Sequence, residues 1–435
     1  MNRCKGARVR WCAGVLVLLV LLVPGARVRA QAANPVTIDQ LVGDALQRSP
    51  VILAAQARMD ASTGEALQAG LRANPELMTS RRDEWGGMNA QTTLGVRVPL
   101  ELGRRDARVA VGDKEVDRAA ASVDEARRAV AASVRLAAIR ALTADRMIAI
   151  NADLVKSRRD WRDVLSARVA AGLSAPVDRD AAEVDLRLAD AELTRARAAA
   201  AARWAELKAA AGLDPGTPLA LAGTLESLVR DIRRTPPAGA EIDAPEARPD
   251  VREADAAIAA AAARERLARR DGRLDLSLDA TYMRTTAGFP QLGFSATGAH
   301  EPILNRMNEV MFGATVMLPW RNRNQGAIAA AAAERRAAAS DRDERLLAAR
   351  AEIVAARARD LEAGHALDIW ADGVLDLAAR NLSVARQSYE IGRVTRFEVL
   401  AEERRYLDLQ AAYVAALTEG YEARVVLTQS LGGSR

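Results

Sequence analysis

Cysteine is almost missing from this 435-residue chain, and neither copy is placed to serve a folded domain. Cys4 and Cys12 both fall in the first 32 residues. There Arg3, Lys5, Arg8 and Arg10 precede the nine-residue apolar run Val15 to Val23, then Pro24-Gly25 and the small-residue sequence Ala30-Gln31-Ala32. A positive n-region, a short h-region and an A-x-A site predict a secretory signal over residues 1–32, cleaved after Ala30 or Ala32. The competing reading, a membrane anchor, fails on length, since nine residues cannot span a bilayer. The mature chain then has no disulfide, no thiolate metal site and no cysteine for a lipid anchor. Histidine is as scarce, with only His300 and His365, and no glycine-rich phosphate loop or nucleophile elbow occurs. No enzyme, cofactor or metal site is expected. The carboxylates are interleaved with arginines at helical spacing, the pattern of exposed helices.

Aromatic residues make up 3 % of the chain, while the hydrophobic total of 50 % is largely alanine. That composition excludes one thick globular core and suits alanine-rich helices packed along their length. A second apolar run of spanning length is also lacking, so any membrane crossing must use strands. Excess charge disappears with the signal. It holds six Lys/Arg and no acidic residue, which leaves 56 basic against 57 acidic residues, net −1. Nucleic acid is therefore not an expected partner.

What the chain has is a duplication. Arg168-Val-Ala-Ala-Gly-Leu-Ser-Ala-Pro-Val-Asp178 has a twin in Ser388-Tyr-Glu-Ile-Gly-Arg-Val-Thr-Arg-Phe-Glu398, and an offset of 220 lays Gly172 on Gly392. The same offset superposes Pro99 on Pro319, Glu183 on Glu403, Leu207 on Leu427 and Gly212 on Gly432. In each copy the glycine interrupts a helical pattern, which predicts a helical hairpin. The long runs Arg104 to Ala170 and Asn324 to Glu390 contain no proline. Unbroken, each reaches on the order of 100 Å. The return helices Pro176 to Ala211 and Thr395 to Leu431 end at Gly212 and Gly432. Ahead of each hairpin stands a shorter helix, Pro50 to Ala73 and Pro249 to about Arg270, here at an offset of 199. The difference places a 21-residue insertion in Thr285 to Asn308, rich in Gly, Pro, Asn and Thr, which reads as an exposed loop. Thr37 suits the cap of a lead-in helix.

Strand signals flank that loop. In Leu274 to Tyr282 the residues Leu274, Leu276, Leu278, Ala280 and Tyr282 share one face; in Val310 to Leu318 the face is Val310, Phe312, Ala314, Val316 and Leu318. The first repeat offers Thr92 to Val98, with Leu94, Val96 and Val98 together. Glu76 to Trp85 alternates poorly and is assigned from its twin. Strands of about nine residues cross a bilayer when tilted, yet four cannot close a barrel and open edges are forbidden in lipid. Either several chains share a barrel, or these are two soluble hairpins with one wet face. The fold class is thus mainly α with a small β part. The divisions are a signal over 1–32, a first repeat over 33–213, a proline-rich inter-repeat linker over 214–247 and a second repeat over 248–435.

The order signal, helix, hairpin, long helix, glycine turn, return helix, all repeated, resembles the TolC-like outer-membrane efflux family over nearly the whole mature chain. Arg168-x-x-x-Gly172-Leu-Ser-x-x-Val-Asp178 and Tyr389-x-x-Gly392-x-x-Thr-x-Phe-Glu-Val-Leu400 are similar to the family's degenerate tip signature. The resemblance implies a homotrimer in the outer-membrane lipid, with a shared 12-stranded β-barrel and a periplasmic α-barrel of helices. It implies passive export for an inner-membrane pump and a periplasmic adaptor; length and simple architecture lean towards the branch serving cation or drug pumps of the resistance-nodulation-division type. Adaptor docking falls on Gly172, Leu173, Ser174, Gly392, Arg393 and Val394, and a periplasmic gate on Asp178, Tyr389 and Glu398. Glu398 matches an acidic ring facing the pore. Val394 replaces an arginine that reinforces the gate in some relatives, with Arg393 or Arg396 as substitutes, and Ala401 replaces a second acidic position. For each of these charges a solvated helix face is the bland alternative, and for the two glycines a plain turn. The rival for the whole chain is a soluble periplasmic coiled-coil scaffold or adaptor.

Overall fold

The computed structural model describes residues 35–237 and 245–433. The expected signal, and part of the expected linker, lie outside the described residues. Two copies of one plan follow each other. After a lead-in helix α1 (Ile38–Arg48), the first copy runs α2 (Pro50–Gly70), β1 (Glu76–Asp83), β2 (Ala90–Leu100), α3 (Arg104–Ala170) and α4 (Pro176–Ala210). Helix α5 (Leu225–Arg234) intervenes, and the second copy runs α6 (Pro249–Asp271), β3 (Asp275–Phe294), β4 (His300–Met317), α7 (Gln325–Ala371), α8 (Val374–Glu390) and α9 (Arg396–Ser430).

Local chemistry sets the helix starts. Thr37 closes a capping box with Gln40, satisfying donors that the first turn leaves free. Proline opens α2, α4 and α6, where its missing N–H costs nothing. Helix α3 is unbroken over 67 residues, about 100 Å long. Its twin differs from expectation. The run from Asn324 to Glu390 is broken at Asp372-Gly373, where Gly373 takes φ 89° and separates α7 from α8. Part of the inter-repeat linker, expected as an equatorial segment wrapping around the helices, is helical. A second capping box, Thr224 with Ser227, starts α5, whose Leu225 and Val229 are buried in the main core.

That core lies at the middle of the helices. Val130, Val134, Ala138 and Ile139 of α3 meet Leu207 of α4 and Val414, Leu417 and Tyr421 of α9, with α1 and α5 packed on the outside. Alanine dominates because helices in lengthwise contact leave room for little else; Ala45, Ala138 and Ala141 are wholly buried. A smaller cluster, Val155, Leu186, Ala189 and Leu193, continues between α3 and α4 towards their turn.

The four strands form one antiparallel sheet in the order β1-β2-β3-β4. Its register brings separately read faces together: Leu94 stands beside Tyr282, which pairs with Val310, and Val96 beside Ala280, which pairs with Phe312. Arg97 lies opposite Asp279 on the other face. The apolar face of the sheet is open, with Phe312 83 % exposed. The loop expected over Thr285 to Asn308 is instead strand, so β3 and β4 span 20 and 18 residues and only residues 295–299 turn. Gly, Pro and Asn gave a loop-like composition. Yet Pro290 sits at the register shift between Phe289 and Leu292, and Pro302 lies in the terminal strand β4, the two places a sheet tolerates proline.

Candidate functional site: the helical tips

Both hairpin turns close with one geometry. Gly172 (φ 69°) donates to Val169 O at 3.0 Å while Leu173 donates to Arg168 O at 2.8 Å; Gly392 (φ 73°) donates to Tyr389 O at 2.9 Å while Arg393 donates to Ser388 O at 2.8 Å. This is the Schellman arrangement, and the left-handed φ favours glycine at both positions. Within the chain nothing lies within 4 Å of where a Cβ would stand at either glycine. Leu173 is 69 % exposed, and Gly392 and Arg393 are exposed with it. Ser174 and Val394 are half-buried; the Ser174 hydroxyl lies 3.3 Å from Arg168 Nε.

The proposed gate residues take up different roles within one chain. Tyr389 meets Trp161 edge-on, ring centroids 5.1 Å apart, an arrangement that favours aromatic pairs. No hydrogen bond joins it to Asp178, whose half-buried side chain has no hydrogen-bond or ion-pair partner among the described residues of its own chain. Glu398 closes the capping box of α9: its carboxylate accepts from the Thr395 N–H and, at 2.9 Å, from the Thr395 hydroxyl. The backbone N–H and then the hydroxyl of Thr395 hold its pKa below the usual glutamate value. Of the two arginines considered as substitutes, Arg396 reaches Asp185 of α4 at 3.7 Å, whereas Arg393 has no side-chain partner among the described residues.

Sequence reading missed the best-formed polar cluster at this end. Glu403 of α9, 2 % exposed, accepts from the Ser157 hydroxyl and from Arg158 Nη1 at 2.9 Å, both on α3, and from Arg386 Nη2 of α8 at 2.9 Å. Its only trace in the sequence is as a register mark of the duplication, paired with Glu183. Trp161, one of six tryptophans, was missed as well.

A duplicated helical hairpin, glycine turns at one end and an open apolar sheet at the other, make a narrow description. The sequence matches the family described as "Outer membrane efflux protein" over residues 41–213 and 243–433. The chain belongs to the outer membrane efflux protein family. Among curated relatives it is similar to the cobalt-zinc-cadmium resistance protein CzcC of Cupriavidus metallidurans, 25 % identical over 421 residues that cover 92 % of this chain and 91 % of that protein. Its fold is that of the crystal structure of CusC, TM-score 0.74 at 17 % identity over 91 % of this chain and 92 % of that one. It is also that of the outer membrane protein VceC from Vibrio cholerae, TM-score 0.67 at 21 % identity over 91 % and 96 %.

This efflux protein is an outer-membrane duct, with its strands at the membrane and its helices in the periplasm. Among the described residues no helix is long and apolar enough to cross a membrane. The open sheet is the element built for that task, and a soluble scaffold has no use for its exposed apolar face.

Proposed function

We propose that this efflux protein works as a homotrimer that receives divalent transition-metal cations from an inner-membrane pump of the resistance-nodulation-division type, through a periplasmic adaptor. The observation that carries the assembly is the sheet. Strands β1 and β4 are both unpaired edges, which lipid does not tolerate, and about eight strands are the fewest that close a membrane barrel. Three copies supply twelve strands and pair each β4 with the β1 of the next copy.

The cargo reading rests on similarity to CzcC, whose name concerns cobalt, zinc and cadmium, along almost the entire chain. Among the described residues no group of three or more His, Cys, Asp or Glu is placed to hold a metal. The proposed division of labour leaves recognition to the pump. Gly172, Leu173 and Ser174 with Gly392, Arg393 and Val394 receive the adaptor, and exposed Leu173 is the anchor. Asp178 and Tyr389 form the gate between neighbouring copies, with Glu398 at its mouth.

One complementation experiment tests cargo and docking together. In a strain lacking this chain, the wild type restores resistance to zinc, cobalt and cadmium, whereas Leu173→Asp leaves trimers intact and restores none. Recovery of drug resistance without metal resistance would overturn the cargo. Full metal resistance with Leu173→Asp would remove the docking site.

A further inference from the structure

The described residues include no cysteine, which leaves methionine as their softest metal ligand, and its placement is uneven. Of nine methionines in the chain, Met78, Met283, Met307, Met311 and Met317 stand on strands. The register sets all five on the face opposite Tyr282 and Phe312. With the apolar face towards lipid, the methionine face lines the lumen; this rests on the reading of a shared barrel. We propose that Met283, Met307, Met311 and Glu309 form a site for a soft monovalent cation, Cu(I) or Ag(I), in the outer mouth of the duct.

The register gathers these four side chains. Glu309 of β4 lies directly opposite Met283 of β3, and Met307 and Met311 stand two residues to either side of Glu309. Met283 is thus diagonal to both, about 7–8 Å away, which long side chains span. The Gln91 amide of β2 donates to Met283 Sδ and positions that sulfur. One level nearer the helices, Met78 leans over Gly95, where a Cβ would stand 3.4 Å from its methyl, towards Thr281, the residue paired with Met311. Packing does not account for the cluster. Methionine that fills gaps in a core is buried, whereas Met307 and Met311 are 41 and 55 % exposed. Glu309 is exposed too, with no hydrogen-bond or ion-pair partner among the described residues.

Thioethers are neutral and polarisable and favour soft ions such as Cu(I), while harder divalent ions are better served by imidazole and carboxylate. Three thioethers with one carboxylate carry a single negative charge, the match for one monovalent ion. The level of the site fits export. The lipid-side face is apolar as far as Tyr282 and Val310 and turns polar at Arg284 and Asn308, so Met283 and Glu309 sit at the end of the barrel away from the helices. A site in a conducting path must hold its ion weakly enough to release it, and an exposed cluster does so. The cargo of the proposed duct then extends from divalent to soft monovalent cations.

The test is calorimetric titration of the detergent-extracted protein with silver nitrate in chloride-free buffer, with the oligomeric mass read on the same sample. One Ag(I) per chain is expected, neither displaced by excess zinc nitrate nor lost in Met317→Leu, which lies on the same face outside the cluster. Met283→Leu and Glu309→Gln are each expected to weaken binding about tenfold. An intact trimer that takes up no silver overturns the site. So does a triple variant, Met283→Leu with Met307→Leu and Met311→Leu, that binds as the wild type does. A monomer that binds silver would instead overturn the shared barrel, and the lumenal role with it.

Discussion

In the proposed gate, Trp161 supplies packing and Asp178 polarity. Trp161 engages the ring of Tyr389, and among the described residues no hydrogen bond occupies the Tyr389 hydroxyl; the proposed gate gives that hydroxyl to a neighbouring copy's Asp178. A bond of this kind contributes about 1–3 kcal/mol, enough to bias a gate and weak enough to break. Asp178→Ala and Tyr389→Phe should therefore raise permeability to large antibiotics by similar amounts. Trp161→Ala should do so too, by loosening the ring that aims the hydroxyl. Unchanged permeability in Asp178→Ala, measured on intact trimers, would reject the pair. Within the chain, the glycines beside these residues are constrained by their backbone. A side chain at Gly392 costs about 1–2 kcal/mol in the left-handed region whatever it touches.

At the scale of elements, α9 begins with a cap that is sensitive to acid. Glu398 has its carboxyl held below the usual value by the Thr395 N–H and hydroxyl. The sign follows from a depressed folded-state value: the cap's contribution is fully present above the unfolded glutamate pKa and is lost as pH falls through the lowered one. Amide exchange at Arg396 to Val399, corrected for its intrinsic pH dependence, should quicken in that acid range. In Glu398→Gln that pH step should be missing. An unchanged step in that variant would show that another group caps the helix.

Elements differ in how plainly the sequence announced them. Helix α3 was legible because 67 residues without proline or a left-handed glycine allow nothing else. The break at Gly373 was not, since one glycine in a helical pattern is usually tolerated. It needs its measured φ of 89° to be seen. The outer halves of β3 and β4 read as loop because Gly288, Pro290, Gly293 and Pro302 are loop residues in most settings. The bulge after Phe289 and the place of β4 at the end of the sheet make them acceptable. The glycine turns were visible as motifs. Glu403 was not, because its burial is made by α3 and α8, more than two hundred and about twenty residues away in the chain respectively.

Across the whole molecule, apolar side chains are left over in an ordered way. On α7, Leu347, Val354 and Leu361 are 66, 69 and 57 % exposed at intervals of seven. The stripe resumes beyond the break with Leu377, Val384 and Ile391, while Val177, Val184 and Leu188 form another along α4. Each stripe lies beside a seam already used within the chain: buried Leu346 and Ile353 immediately precede Leu347 and Val354, and buried Leu186 stands between Val184 and Leu188. Helices with two apolar seams, one of them uncovered, are built to pack on both sides. The proposed trimer supplies the second partner by setting α4 of one copy against α7 and α8 of the next. Leu361→Asp places a charge in that seam and removes nothing from the core of its own chain, so it separates assembly from folding. Mass measurement on the detergent-extracted outer-membrane protein should find the wild type as a trimer and the variant as a monomer of unchanged helix content. A variant that still forms trimers would put the contact between copies elsewhere than this stripe, and the sheet alone would then have to hold them together.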